Sequence, residues 1–149
     1  MATRNVLAAV DFSNVADEIV RLSSEIARSC GAMLWIVHVE PEQPDFVGYA
    51  PGPQSVRDDV AHRFRQHHRD LETMADRVRA DGTDATALLL QGVPAEKIKE
   101  KAREEPMDLI VIGSHGHGAI YDLLVGSVCQ GVLKDPPSPV LVVPAPRDQ

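Results

Sequence analysis

A chain of 149 residues is enough for one domain, and at this size a domain buries roughly two-thirds of the surface that its unfolded form exposes. A net charge of −7 argues against a broad nucleic-acid or anionic-membrane surface, because nothing offsets long-range repulsion from phosphates. Two cysteines, Cys30 and Cys129, stand in no metal-site or framework spacing and are expected as buried thiols; with no signal-peptide pattern at the start and no apolar run near the roughly 18 residues of a membrane span, the expected setting is cytoplasmic.

Val6 to Val10 is an apolar run closing on Asp11-Phe12-Ser13-Asn14, which predicts a strand followed by a helix that Ser13 or Asn14 can cap. Ala16, Ile19, Val20, Ser23, Ile26, Ala27 and Cys30 keep helical spacing, and Gly31 is the expected stop. Met33 to Val39 is a second apolar strand, as the middle of a β-α-β unit buried on both faces should be. The proline-rich stretch from Glu40 to Ser55 leaves its carboxyl end as a long loop, either a wall or lid beside a ligand or a surface excursion. Val56, Val60, Phe64, Leu71, Met74 and Val78 then mark one face of a helix running to about Ala80. His62, His67 and His68 fall among its charged residues. His62 and His67 are five apart, off the i, i+4 spacing of a helical metal pair, and the arginines are interleaved with carboxylates, so this side is expected to be a solvated face with no metal.

Asp81-Gly82 ends that helix, Ala85 to Leu90 is the third strand, and Gly92-Val93-Pro94 turns into a short helix carrying Ala95, Ile98 and Ala102 to about Glu104. Leu109 to Ile112 is the fourth strand. It breaks at Gly113, Gly116 and Gly118, with helical spacing from Ile120, and a second pair, Gly126-Ser127, follows Gly116 after nine residues. A glycine inside a helical pattern costs about 1 kcal/mol relative to alanine. Either a helix begins near Ser127 behind a long ligand-facing loop, or something packs closely on Gly126. A strand, a glycine loop and a helix N-terminus suit an anion such as phosphate, and hence a nucleotide. The loop is not a P-loop, since Ala119 and Ile120 stand where lysine and the hydroxyl should be, and G-x-x-G-x-G is not the dinucleotide fingerprint. No G-x-S-x-G, H-E-x-x-H or C-x-x-C occurs. After Leu133, Asp135-Pro136-Pro137-Ser138 breaks the chain and Pro139 to Val143 forms a fifth strand. Five strands alternating with four helices predict a single α/β domain over residues 1–149, a doubly wound parallel sheet with helices on both faces.

Gly113-x-x-Gly116, nine residues, then Gly126-Ser127 resembles the G-2x-G-9x-G-[ST] loop of the ATP-binding branch of the universal stress proteins. The segments VLAAVDFS, HVE, GVPAEKI, DLIVIGSHGHG and PVLVVP extend the resemblance over nearly the whole chain. It implies an adenine nucleotide alpha-hydrolase-like fold with strand order 3-2-1-4-5, which sets Asp11 and the Gly113 loop at the switch point. It implies ATP with Val39 against adenine, and with Ala9, Val10 and Ile112 supplying backbone around base and sugar. Gly113, Ser114, His115, Gly116, His117, Gly126 and Ser127 would lie along the phosphates, Val128 and Cys129 continuing the turn. A carboxylate repels a triphosphate, so Asp11 is expected at the ribose or adenine end, or as an ordinary turn residue.

Many relatives carry a basic residue after the second glycine; here His117 stands there, with no Lys or Arg from Met107 to Gly131. Amides, helix dipoles and Mg²⁺ carried in with ATP are then expected to offset the phosphate charge, with His115 or His117 contributing when protonated. No catalytic residue is expected, because nothing in the loop is an evident general base. The implied function is a nucleotide-responsive regulatory or stress-response protein, the alternatives being a slow Mg-dependent ATPase and a nucleotide-free interaction module. The last strand would leave a hydrophobic sheet edge, so a homodimer through Val140, Leu141, Val142 and Val143 is expected, or else a terminal tail folded over it.

Overall fold

The computed structural model describes residues 4–42, 54–116 and 125–145. The elements are β1 (Asn5–Ala9), α1 (Ala16–Cys30), β2 (Met33–Glu40), α2 (Gln54–Ala80), β3 (Ala85–Gln91), α3 (Pro94–Glu104), β4 (Leu109–Gly113), α4 (Ser127–Leu133) and β5 (Val140–Val143). The strands form one sheet, ordered β3-β2-β1-β4-β5, and every pairing is parallel. This is the doubly wound order that the resemblance implies.

Strand residues alternate between two cores, which is why the central strands read as unbroken apolar runs. Val6 and Ala8 of β1, with Leu34, Ile36 and Val111, face Ile19 and Ala27 of α1 and Leu71, Ala75 and Val78 of α2. Leu7, Ala9, Val37, Ile110 and Ile112 point the other way, onto Ile98 and Ala102 of α3 and Cys129 and Val132 of α4. Gly31 closes α1 in the left-handed region at φ 66°, where its N–H reaches the carbonyls of Ala27 and Arg28.

Several expectations need correcting. Cys30 is exposed, being the last residue of α1 on its outer side; Cys129 is buried. Neither Ser13 nor Asn14 caps α1. Val15 holds the N-cap position without a side-chain hydrogen bond, and the Ser13 hydroxyl is buried with no partner among the described residues. The apolar face of α2 is buried only in its second half, and Val56 and Phe64 stand exposed. Length accounts for this: 27 residues of helix span roughly 40 Å against roughly 26 Å for the eight residues of β2, so one end overhangs. Gly126 is the N-cap of α4, so the helix does begin at Ser127 and this is not a mid-helix glycine; close packing is present as well, since a Cβ there would lie 3.3 Å from Ser114 O. The helical spacing from Ile120, most of the 40–55 loop and the tail beyond Ala145 lie outside the described residues.

Candidate functional site

Leaving β1 the chain turns to α1 on one face of the sheet, and the chain beyond β4 leads to α4 on the other. Adjacent parallel strands whose continuations diverge leave a crevice at their carboxyl ends. Here it measures about 520 Å³, within the roughly 300–1,000 Å³ of small-molecule sites. Ala9, Val39, Ile112 and Cys129 are buried apolar residues of its lining, together with Val37 and Ile98. Burial also pushes the Cys129 thiol above its ordinary value, since the thiolate would lose its hydration.

The turn after β1 forms one rim. Val10 donates its N–H to Val37 O at 2.9 Å, and its carbonyl accepts from His38 Nδ1 at 2.7 Å, so its main chain is already engaged within the protein. Asp11 Oδ1 accepts the Ser13 N–H at 3.1 Å, an Asx turn, which orients the carboxylate toward Gly116. A Cβ built on Gly116 would lie 2.1 Å from Asp11 Oδ2. The carboxylate thus sits nearer the glycine loop than charge repulsion alone suggests.

The three glycines of the spaced motif do different things. A Cβ on Gly113 would stand 3.0 Å from Val15 Cγ1 and 3.3 Å from Ile19 Cδ1, so this glycine lets α1 close on β4. Gly116 leaves room for Asp11. Gly126 donates its N–H to Ser114 O and packs its Cα side against Ser114 O and His115 Cα, which holds the two halves of the loop together. Ser114 is buried; its N–H donates to Val143 O at 2.8 Å and its hydroxyl accepts from Ala145 N–H at 3.0 Å while meeting His115 Nδ1 at 3.0 Å. Ser127 and Val128 are exposed at the first turn of α4.

At the far wall of the crevice, where β2 ends, lies a second polar group. His38 Nε2 is 3.1 Å from Glu40 Oε1, and His67 Nδ1 of α2 contacts the same oxygen. Phe12 lies over both imidazoles, its ring centroid 4.7 Å from His38 and 4.8 Å from His67.

Comparison with known proteins settles the relationship. The sequence model of the universal stress protein family matches residues 2–144. The chain belongs to the universal stress protein family. A universal stress protein of Thermus aquaticus, described as lying in the 3′ region of QAH/OAS sulfhydrylase, is 36% identical over 146 residues, covering 94% of this chain and 98% of the relative. Two solved structures share the fold: a universal stress protein in complex with cAMP (27% identical, TM-score 0.66, covering 96% of this chain and 98% of the other) and the universal stress protein from Archaeoglobus fulgidus in complex with dAMP (25% identical, TM-score 0.63, covering 95% and 98%). In this universal stress protein no helix among the described residues is long and apolar enough to cross a membrane.

Thirteen residues named from the sequence line the one crevice: Ala9, Val10, Asp11, Val39, Ile112, Gly113, Ser114, His115, Gly116, Gly126, Ser127, Val128 and Cys129. His117 lies outside the described residues. Sequence reasoning missed His38, Glu40 and His67, which line the same crevice. Assigning His67 to a solvated face was wrong: its side chain is only 25% exposed and bonded to Glu40. A signal did exist for two of them, because His38 and Glu40 are i, i+2 on a strand and share a face. The third comes from a helix 27 residues on, and no periodicity links it to them.

Proposed function

We propose that this universal stress protein binds ATP with Mg²⁺ in the crevice and acts as a nucleotide-responsive regulatory protein, working as a homodimer paired through β5. The observation that carries the reading is the convergence of an apolar wall, Ala9, Val39 and Ile112, and both halves of the spaced-glycine loop in one crevice. The cAMP and dAMP complexes of related proteins support an adenine nucleotide. Adenine fits the apolar wall, and the phosphates fit the loop at Gly116, Gly126 and Ser127, where no bulky side chain stands. No Lys or Arg is among the described residues of the lining, and Asp11 adds a negative charge beside Gly116. Mg²⁺ takes oxygen ligands, so the Asp11 carboxylate and the Ser127 hydroxyl are suited to hold it, and it would supply the positive charge. A regulatory role is favoured over catalysis because the Asp11 carboxylate, the acidic group at the loop, already accepts the Ser13 N–H with one oxygen, and no other evident general base stands in the loop's described residues.

The test is to denature freshly purified protein, identify any released nucleotide, and titrate the emptied protein with Mg-ATP, AMP and cAMP by calorimetry. ATP is expected to bind most tightly, and at a hundred times its dissociation constant to stabilise the fold by about 2.7 kcal/mol. Failure of any adenine nucleotide to bind at millimolar concentration overturns the reading; a preference for the monophosphates overturns the assignment of ATP.

A further inference from the structure

The group formed by His38, Glu40 and His67 has no role in the reading above. One nitrogen from each imidazole and one carboxylate oxygen lie within 4.8 Å of one another. The Val10 carbonyl can only accept, so His38 Nδ1 carries a hydrogen and donates it there. Nε2 faces Glu40 Oε1, 3.1 Å away. With the imidazole neutral and the carboxylate ionised both are acceptors, an arrangement that a shared proton or a shared metal cation relieves.

We infer that His38 Nε2, Glu40 Oε1 and His67 Nδ1 form a three-residue site for a divalent transition cation of the Zn²⁺ class, at the carboxyl end of β2. Two imidazoles and one carboxylate are a donor set that zinc takes in tetrahedral sites with a fourth position open. The ligand atoms of such a site lie about 3.3 Å apart, given bonds of about 2.0–2.1 Å. The His38–Glu40 separation is already close to that, and His67, partly exposed on α2, would come to it by a change of rotamer. The bond from His38 Nδ1 to Val10 O is the outer contact that metal-ligating histidines use to fix tautomer and ring orientation.

Phe12 gives an independent sign that the arrangement is built. Its backbone has φ 62°, a left-handed conformation that a bulky side chain adopts at a cost of order 1–3 kcal/mol. Its ring meanwhile covers both imidazoles. The ion differs in kind from one delivered with ATP: Mg²⁺ prefers six oxygen ligands and keeps its waters, whereas this set is nitrogen-rich. All three ligands also line the crevice, so a bound ion is reachable from it.

The inference does not rest on the nucleotide reading, and its test needs no nucleotide. Untagged protein is stripped with a chelator, then titrated with CoCl₂ while the visible d–d bands are followed, and back-titrated with ZnCl₂. One equivalent of Co²⁺ with the strong absorption of four-coordinate cobalt is expected, displaced by Zn²⁺ and untouched by excess MgCl₂. His67→Ala and Glu40→Gln, each checked for an unchanged far-UV spectrum, are expected to weaken binding roughly 100-fold or more, beyond the 10–100-fold loss usual for an outer-shell partner. His62→Ala and His68→Ala, on the same helix, are expected to leave it unchanged. Absence of stoichiometric binding, binding that survives His67→Ala, or binding lost in the His62 or His68 variants would each overturn the site and leave a proton shared within the group.

Discussion

All three glycines line the crevice, but the missing side chain makes room for Val15 and Ile19 at Gly113 and for Asp11 at Gly116, and substitution should separate the two. A side chain at 116 must expel the Asp11 carboxylate, so Gly116→Val is expected to lower Mg-ATP affinity at least about tenfold, roughly 1.4 kcal/mol, in calorimetry, with the urea midpoint nearly unchanged. Gly113→Val drives methyl groups into Val15 and Ile19 and should cost roughly 1–3 kcal/mol of stability by urea denaturation. Asp108 makes a prediction in pH. Its Oδ2 accepts from the N–H groups of Arg4 at 2.7 Å and Asn5 at 2.9 Å, and these bonds hold its carboxyl below the ordinary value. With the folded value depressed, the unfolded chain takes up the proton first as pH falls. The stabilisation is therefore whole above about pH 4 and is lost as pH drops through the folded value. Asp108 is exposed, so the effect is about 1 kcal/mol, and Asp108→Asn should flatten the acid limb of stability against pH by that amount. The two thiols should also part company: alkylation of the native protein followed by peptide mass spectrometry is expected to mark Cys30 and spare Cys129.

α4 owes its position to a glycine that the sequence offered no reason to single out. A Cβ on Gly131 would come within 2.6 Å of Ala95 Cβ, so α3 and α4 touch where neither carries bulk. Lys99 of α3, itself buried, reaches the carbonyl of Lys134 at the end of α4 from the same side. Gly131→Ala should gain about 1 kcal/mol in helix propensity yet lose more to the clash, so a net loss in the urea midpoint is expected. Elements of this kind mark the limit of sequence reading. The runs at Val6, Met33, Leu109 and Val140 were legible because a strand buried on both faces needs apolar residues without alternation. Gly31 and Gly82 were legible as helix stops, and both adopt positive φ, at 66° and 91°. What stayed hidden depended on contacts between distant segments: the overhang of α2, the Gly131–Ala95 approach, and the meeting of His67 with Glu40. The spaced glycines pointed to a loop that lies at the crevice, but only packing tells which neighbour each of them makes room for.

The whole molecule has β5 at one margin of the sheet. Ile110 N–H donates to Pro139 O and Ser114 N–H to Val143 O, so residues 139, 141 and 143 direct their main chain to β4. In a parallel ladder the alternate residues, Val140 and Val142, then direct theirs outward. Val142→Pro removes one outward N–H and leaves the inner ladder intact. By sedimentation velocity the parent protein is expected to run as a dimer and the proline variant as a monomer; identical behaviour of the two would exclude this edge as the interface. Ser114 gives the arrangement a further consequence. Its amide is fastened to Val143, its carbonyl to Gly126 and its hydroxyl to Ala145. A single buried residue is thus a rivet through the outer margin of the sheet and both flaps of the loop. A partner paired along that margin would therefore stand one hydrogen-bonded residue away from the loop.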